Sequence, residues 1–137
     1  MTDTGDRQQA EGVREAVSRY AAAWLAGDRA AMAACYHDEF RLHYAGQNPL
    51  AGTHSGKAAA FAVLAEVTRR TNRKLLDVED VMAGPRRGAL LVRESFTRDR
   101  RTAEVERLLV YSVRDGLLFE CWVYDRDQAT VDAFFAD

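Results

Sequence analysis

Apolar residues repeat along this chain with two periods, one typical of helices and one typical of strands. Near the start, four apolar or aromatic residues follow one another in steps of four and three: Val13, Val17, Tyr20 and Trp24. Residues with these steps stack on one side of a helix, so the pattern predicts a helix from about Gln8 to Ala26. The polar residues 1 to 7 that precede it are predicted to be a disordered lead-in.

Two further helices are predicted from boundary signals and the same spacing. Gly27 ends the first helix, and Asp28 is a candidate N-cap for a second helix that runs to about Tyr36. The helical pattern returns from Ser55 to about Arg70, where it has a broad apolar side. Ser55 is the candidate cap of this third helix.

Between the second and third helices the period changes to two. Phe40, Leu42 and Tyr44 share one face of a predicted strand, whereas Arg41 and His43 share the other. The segment GQNPLAGTHSG follows this strand. Its glycines reach positive φ and its proline locks its own φ, so a loop of defined shape is predicted.

The second half of the chain is dominated by extended patterns. Four strand-like runs are separated by turn signals: 73 to 83, 88 to 98, 103 to 114 and 117 to 125. The pair Asp115-Gly116 is a strong hairpin signal, and long strands joined by short turns predict an antiparallel meander. A short helix from Asp127 to Phe135 closes the chain, and Asp125 is expected to help cap it.

This order of elements predicts the α+β fold class. We expect a strongly bent antiparallel sheet wrapped around helices, which together form a cone. The length of 137 residues suits one domain, predicted to span residues 8 to 137. Because a bent sheet and its covering helices diverge at one end, a pocket between them is the expected functional site.

Composition and charge narrow the classes of function. The formal net charge of −2 gives no long-range attraction for nucleic acid or anionic membrane, so neither is expected as a partner. No apolar run is long enough to span a bilayer and the polar start lacks a secretory signal, which predicts a cytoplasmic protein. Cys35 and Cys121 lie in apolar stretches where free thiols pack. No zinc-type or phosphate-binding spacing occurs, so no metal and no cofactor are expected.

The loop GQNPLAGTHSG and the C-terminal segment VRDGLLFECWVYDRDQATVDAFF, taken with the order of elements, resemble the SnoaL-like branch of the nuclear transport factor 2 (NTF2)-like superfamily. The resemblance covers nearly the whole chain. It implies a cone-shaped cavity and a homodimer formed through the outer sheet face. It also implies one of several activities: polyketide cyclase, ketosteroid isomerase, epoxide hydrolase, dehydratase or binding alone.

The resemblance does not transfer a complete catalytic set. Tyr20 matches the tyrosine implied for ketosteroid isomerases, but Tyr44 stands where their base aspartate is implied, and their second acid falls within Leu109 to Tyr111. SnoaL-type cyclases are implied to use a late-strand histidine, and none follows His54. Epoxide hydrolases are implied to need an Asp-Arg-Asp set, onto which four strand residues do not map one for one: Arg93, Glu94, Glu106 and Glu120.

Three residues are predicted as candidates for acid-base chemistry: His43, Glu120 and Tyr20. An imidazole suits a general base, and a carboxylate beside Trp122 in a dry cavity would have a raised pKa that suits proton transfer. Tyr20 would donate a hydrogen bond. The alternatives are that His43 lies on the outer sheet face, that Glu120 is an edge or interface charge, and that Tyr20 belongs to the core.

Four aromatic residues are predicted to contact a ligand, with core packing as the alternative: Trp24, Tyr44, Tyr111 and Trp122. The functional hypothesis is a domain that binds a small, largely apolar organic molecule and performs cofactor-free isomerase, cyclase or hydratase chemistry. The alternative is a ligand-binding or protein-interaction module without catalysis. The enzymatic and the non-catalytic hypotheses are distinguished by whether His43 and Glu120 point into the same cavity.

Overall fold

The computed structural model describes residues 3 to 137 of the chain. Its helices are α1 (Asp3–Ala26), α2 (Arg29–Ala34), α3 (Lys57–Thr71) and α4 (Gln128–Phe135). Its strands are β1 (Tyr36–Tyr44), β2 (Gly52–Ser55), β3 (Lys74–Ala83), β4 (Arg87–Arg98), β5 (Arg101–Arg114) and β6 (Leu117–Asp125). Every predicted helix and strand is present, and β2 is an additional strand.

The strands form one curled sheet in the order β2-β1-β6-β5-β4-β3, which confirms the predicted α+β class. All neighbours are antiparallel except β1 and β6, which run parallel with Leu42 opposite Cys121 and Tyr44 opposite Val123. The parallel pair differs from the fully antiparallel sheet that was expected. Parallel pairing needs a long connection between the two strands. Here the connection from β1 to β6 contains α3 and the strands β3 to β5, so β6 can run in the same direction as β1.

Two boundaries differ from the sequence-based expectation. Helix α1 begins at Asp3, so residues 3 to 7 are helical and not a disordered lead-in, whereas Met1 and Thr2 lie outside the described residues. An acid such as Asp6 near a helix N-terminus is favoured by the helix dipole. Strand β1 already begins at Tyr36, which is buried like Phe40 and pairs with Leu118 of β6 before the register shifts.

Part of the predicted loop is the short strand β2, which pairs antiparallel with β1 and places Thr53 opposite His43. The remainder of the loop keeps a defined shape, with Gly46 at a φ of +105°. Helix α4 holds it in place, since the Asp132 carboxylate accepts hydrogen bonds from the Gln47 backbone (3.1 Å) and the Asn48 side chain (2.7 Å). The loop therefore ties the β1-β2 hairpin to α4.

The helix caps agree only in part with the sequence signals. Asp28 caps α2 as predicted. Ser55 does not cap α3, because it ends β2 and Gly56 occupies the cap position without a side-chain bond. Helix α4 is capped by Asp127, whereas Asp125, the predicted cap, makes a different contact inside the sheet.

The core lies between the inner face of the sheet, defined as the face toward the helices, and helices α1, α3 and α4. Helix α1 lies very close to β4 at Gly88, where an added Cβ would stand 2.9 Å from a methyl group of both Val13 and Val17. Only glycine allows this approach. Among residues 3 to 137, no helix is both long and apolar enough to cross a membrane.

Candidate functional site

Two adjoining spaces lie between the helices and the inner face of the sheet. The first, called the chamber here, is the more enclosed of the two and has a volume of about 30 Å³. The second, called the cleft, opens between α1, α2 and α3 and has a volume of about 560 Å³. They share six lining residues: Tyr20, Trp24, Tyr36, Leu64, Arg73 and Glu94. The cleft is therefore large enough for a small organic molecule, and its inner end adjoins the chamber.

Aromatic side chains form the wall between the two spaces. Tyr20 is the centre of this wall, with ring centroids at 5.8 Å from Trp24, 5.1 Å from Tyr36 and 6.0 Å from Tyr111. Of the residues predicted to contact a ligand or take part in catalysis, Tyr20 and Trp24 line both spaces, and Tyr44 and Tyr111 line the chamber. Whether any of them contacts a ligand stays a prediction.

Burial keeps the tyrosine hydroxyls of this wall protonated. It raises the pKa of Tyr20 to about 12 and holds the pKa values of Tyr36 and Tyr111 well above the ordinary value. At neutral pH these groups are therefore hydrogen-bond donors and not anions.

A buried arginine lies beneath the aromatic wall. The Arg107 guanidinium is 1% exposed and donates hydrogen bonds to three groups on three other strands. Its Nε is 2.6 Å from Oδ1 of Asp125, its Nη2 is 2.8 Å from the hydroxyl of Tyr44, and its Nη1 is 3.2 Å from Oε2 of Glu94. This contact is the reason that Asp125 does not cap α4. Burial raises the pKa of Asp125, and the charge of Arg107 opposes that rise.

Glu94 uses only one of its two carboxylate oxygens in this contact. Its side chain is 1% exposed, yet Oε1 has no hydrogen-bond partner among residues 3 to 137. Nη1 of Arg73 lies 3.7 Å from Oε1, which is an ion pair but too long for a hydrogen bond. Glu94 lines both the cleft and the chamber. A buried carboxylate oxygen without a donor is therefore part of the cavity wall.

Sequence reasoning did not single out Glu94, Arg107 or Arg73, although a signal for two of them was present. On β5, Arg107 has the same parity as the buried residues Val105, Leu109 and Tyr111. On β4, Glu94 has the same parity as the buried residues Leu90, Val92 and Phe96. A charged residue at an inward position of a strand indicates a buried ion pair or a site, because an unpaired charge there is very costly.

His43 and Glu120 are brought together, but away from this cavity. Nε2 of His43 is 2.9 Å from Oε2 of Glu120, and Nδ1 is 2.9 Å from the hydroxyl of Thr53. The imidazole also stacks on Trp122, with centroids 5.1 Å apart and ring planes 14° apart. In the neutral form, His43 donates to the Glu120 carboxylate and accepts from Thr53.

The prediction that His43, Glu120 and Trp122 share the cavity with Tyr20 is corrected. Phe40, Leu42 and Tyr44 point inward and line the chamber, so His43, of opposite parity, points to the outer face, the sheet face turned away from the helices. On β6 the inward positions are Cys121 and Val123, which leaves Glu120 and Trp122 on the outer face. His43 and Trp122 line a shallow recess of about 270 Å³ there.

A metal site is not formed by the described residues. Among residues 3 to 137, no three histidine, cysteine, aspartate or glutamate side chains converge as a metal ion requires. The arrangement in the cavity instead offers neutral hydroxyl donors, one unpaired carboxylate oxygen and two guanidinium groups. Such groups can orient a polar substituent and can exchange a proton with it.

Comparisons with known proteins agree with this architecture. The family model of the SnoaL-like domain matches residues 17–121, which confirms the resemblance seen in the sequence. Bal32a from a soil-derived mobile gene cassette superposes with a TM-score of 0.83 at 23% identity, covering 93% of this chain and 98% of that chain. No curated protein sequence matches significantly.

Two further solved structures are similar. An NTF2-like protein from Burkholderia xenovorans LB400 has a TM-score of 0.74 at 21% identity and covers 92% of this chain and 97% of its own. TerC, co-crystallised with polyporic acid, has a TM-score of 0.76 at 18% identity and covers 90% of this chain and 98% of its own. At these identities the likeness shows the fold alone.

The raised pKa of Tyr20 leads to a prediction about alkaline stability. Between pH 10 and pH 12 the unfolded chain loses the Tyr20 proton while the folded chain keeps it, so the free energy of unfolding must fall as the pH rises. One such proton contributes a slope of about 1.4 kcal/mol per pH unit. The variant Tyr20→Phe should reduce the slope by up to this amount in urea titrations between pH 9 and pH 11.5.

The matched control is Phe61→Leu, which changes a partly buried aromatic ring of the cleft that has no ionisable group. It should leave the slope nearly unchanged. Equal slopes for wild type and Tyr20→Phe would contradict the assignment of Tyr20 as a buried, protonated hydroxyl.

Proposed function

Because the chain belongs to the SnoaL-like domain family, we propose that it binds a small, largely apolar organic molecule in the cleft that ends at Glu94. The observation that carries the proposal is the cleft itself, with a volume of about 560 Å³ between α1, α2 and α3. Ligand sites typically have volumes of several hundred Å³ and a few polar groups in a mostly apolar lining.

The lining of the cleft supports this chemistry. Its walls are mainly aliphatic and aromatic: Trp24, Met32, Ala33, Phe61, Leu64, Ala65 and Leu75. Of the polar lining residues, Tyr20, Arg73 and Glu94 lie at the inner end that adjoins the chamber, and Arg29 and Thr68 line the remainder of the cleft. An occupant would thus bury an apolar body and place its polar substituent at the inner end. The similar fold of TerC, which was co-crystallised with polyporic acid, supports an organic ligand as well.

Proton transfer on the bound molecule is a second candidate function, and one observation favours it. The unpaired Oε1 of Glu94 and the protonated hydroxyl of Tyr20 line the same cavity, which supplies a base and an acid to one ligand. This assignment replaces the predicted pair of His43 and Glu120. The absence of a cofactor, the absence of nucleic acid as a partner and the cytoplasmic location stay predictions.

We also propose that the outer face of the sheet forms a homodimer interface, as the family resemblance implies. Apolar side chains of several strands are only partly buried there: Leu91, Leu108, Val110, Trp122 and Tyr124. Tyr124 is 51% exposed, and an apolar patch formed by several exposed side chains is typical of a protein–protein interface. On this interface, the paired His43 and Glu120 would be structural groups and not catalytic ones.

The cleft proposal predicts that filling the cleft prevents binding. Ala65→Phe places a bulky ring on the cleft wall, whereas Ala62→Phe adds the same ring to an exposed position of α3 outside the cleft lining. Thermal-shift screening of steroid-like, polyketide-like, terpene-like and aryl compounds should yield ligands that stabilise wild type and Ala62→Phe. The same ligands should lose about tenfold or more in affinity for Ala65→Phe. Unchanged binding to Ala65→Phe would place the site elsewhere.

The proton-transfer candidate predicts exchange at carbon. In D₂O, wild type should exchange the acidic C1 hydrogens of 2-tetralone about 100-fold faster than buffer does, as followed by ¹H NMR. Glu94→Gln should abolish this exchange and Tyr20→Phe should reduce it. Glu120→Gln, which changes the outer face only, should exchange like wild type. Loss of exchange in Glu120→Gln with retention in Glu94→Gln would reverse the assignment.

The dimer proposal predicts that a charge in the outer face separates the subunits. Val110 lies opposite Trp122 and Ala89 in the middle of this face, so Val110→Glu would bury a carboxylate at the interface. Sedimentation equilibrium should give twice the chain mass for wild type and for Ala62→Glu, and the single chain mass for Val110→Glu. A monomeric wild type, or a dimeric Val110→Glu, would contradict the proposed interface.

A further inference from the structure

The polar end of the cleft has two complementary atoms that are not bonded to each other. Oε1 of Glu94 has no hydrogen-bond partner among the described residues although its side chain is buried, and Nη1 of Arg73 lies 3.7 Å away. Two atoms at this separation can both lie about 2.8 Å from a third atom between them. One oxygen that both donates and accepts would satisfy the pair.

The charged groups around Oε1 of Glu94 and Nη1 of Arg73 restrict the charge of a ligand that binds between them. Arg73 and Arg107 are balanced by Glu94 and Asp125, so the four groups have no formal net charge. A carboxylate placed between Glu94 and Arg73 would face the Glu94 carboxylate at hydrogen-bond distance, and an ammonium group would face the Arg73 guanidinium. Either charged group would be desolvated beside a like charge, which costs more than it gains.

From these observations we infer that the cleft selects a neutral alcohol or phenol, whose hydroxyl donates to Oε1 of Glu94 and accepts from Nη1 of Arg73. The inference rests on the proposed binding function and names the class of ligand. The rest of the molecule is apolar and is an aryl or alicyclic body, because it lies along Trp24, Leu64 and Phe61 in the cleft. Glu94 and Arg73 are then the residues that determine specificity.

A set of four probes with one common ring system tests this class. The probes are naphthalen-2-ylmethanol, 2-methylnaphthalene, 2-naphthoate and naphthalen-2-ylmethylammonium, and their dissociation constants are measured by calorimetry at pH 7.5. Wild type should bind the alcohol about tenfold more tightly than the hydrocarbon, since the hydroxyl bonds to a charged group. Both charged probes should bind more weakly than the alcohol.

Two variants change the local charge in opposite directions and should change the preference accordingly. Glu94→Gln leaves an excess positive charge, so 2-naphthoate should gain about tenfold relative to the alcohol. Arg73→Gln leaves an excess negative charge, so the ammonium probe should gain instead. A loss of structure would weaken all four probes together and would not exchange their order. If Glu94→Gln does not fold, the change in probe preference of Arg73→Gln tests the inference alone. The control is Arg126→Gln, which changes an exposed arginine outside the cleft and should keep the wild-type order of probe affinities.

The outcomes separate this inference from the binding proposal. Failure of all four probes to bind, the hydrocarbon included, would overturn the binding function and this inference with it. Binding of all four with similar affinity, or an unchanged order in both variants, would leave the binding function standing and overturn the hydroxyl preference. Tightest binding of a charged probe to wild type would also overturn it.

Discussion

The contact between the Arg107 guanidinium and its three acceptors is the constraint on which the interior of this protein depends. A buried guanidinium without partners would be too costly to keep, because desolvation of the charge is not repaid. Here Asp125 of β6, Glu94 of β4 and Tyr44 of β1 each accept a hydrogen bond from it, while Arg107 itself lies on β5. One side chain therefore links four strands of the sheet at their inner face. Loss of any acceptor would leave part of a buried charge unpaired.

The same contact sets what the cavity can offer to a ligand. Because Arg107 donates a hydrogen bond only to Oε2 of Glu94, the other carboxylate oxygen remains for the cleft, where it forms an ion pair with Arg73. One oxygen of Glu94 thus stabilises the sheet through Arg107, and the other is available to a ligand in the cleft. Arg73 lies between the end of α3 and the start of β3, and its Nε donates a hydrogen bond to the hydroxyl of Thr68 on α3 at 3.3 Å. The polar end of the cleft is therefore preorganised by the fold, and a ligand does not need to assemble it.

Much of the fold follows from local sequence signals, since all the helices and five of the six strands agree in type with their own patterns. The periods of α1 and α3, the N-cap at Asp28 and the turn at Asp115-Gly116 are local properties, and the structure confirms all of them. The parallel pairing of β1 with β6 joins residues about 80 positions apart in sequence, as in the contact of Leu42 with Cys121. Local periodicity contains no information on such pairings. Strand β2 was missed for a related reason, because its four residues pair only through β1.

The candidate site likewise could be predicted only in part: the sequence shows which residues of a strand share a face, but not which face is turned toward the helices. Alternation correctly separated His43 from Tyr44 and Glu120 from Cys121, but alternation alone does not say which set faces the helices. On β1 the inward set is identified by the large, almost fully buried apolar side chains Phe40 and Leu42, whereas on β6 a register shift lets Leu118 and Cys121, which differ in parity, both be buried. A charged residue in phase with such side chains is therefore more informative about a cavity than a histidine out of phase with them. By this criterion Glu94 and Arg107 are the ionisable groups of β4 and β5 that reach the interior, and they line the chamber together with Arg73, Cys121 and the buried tyrosines.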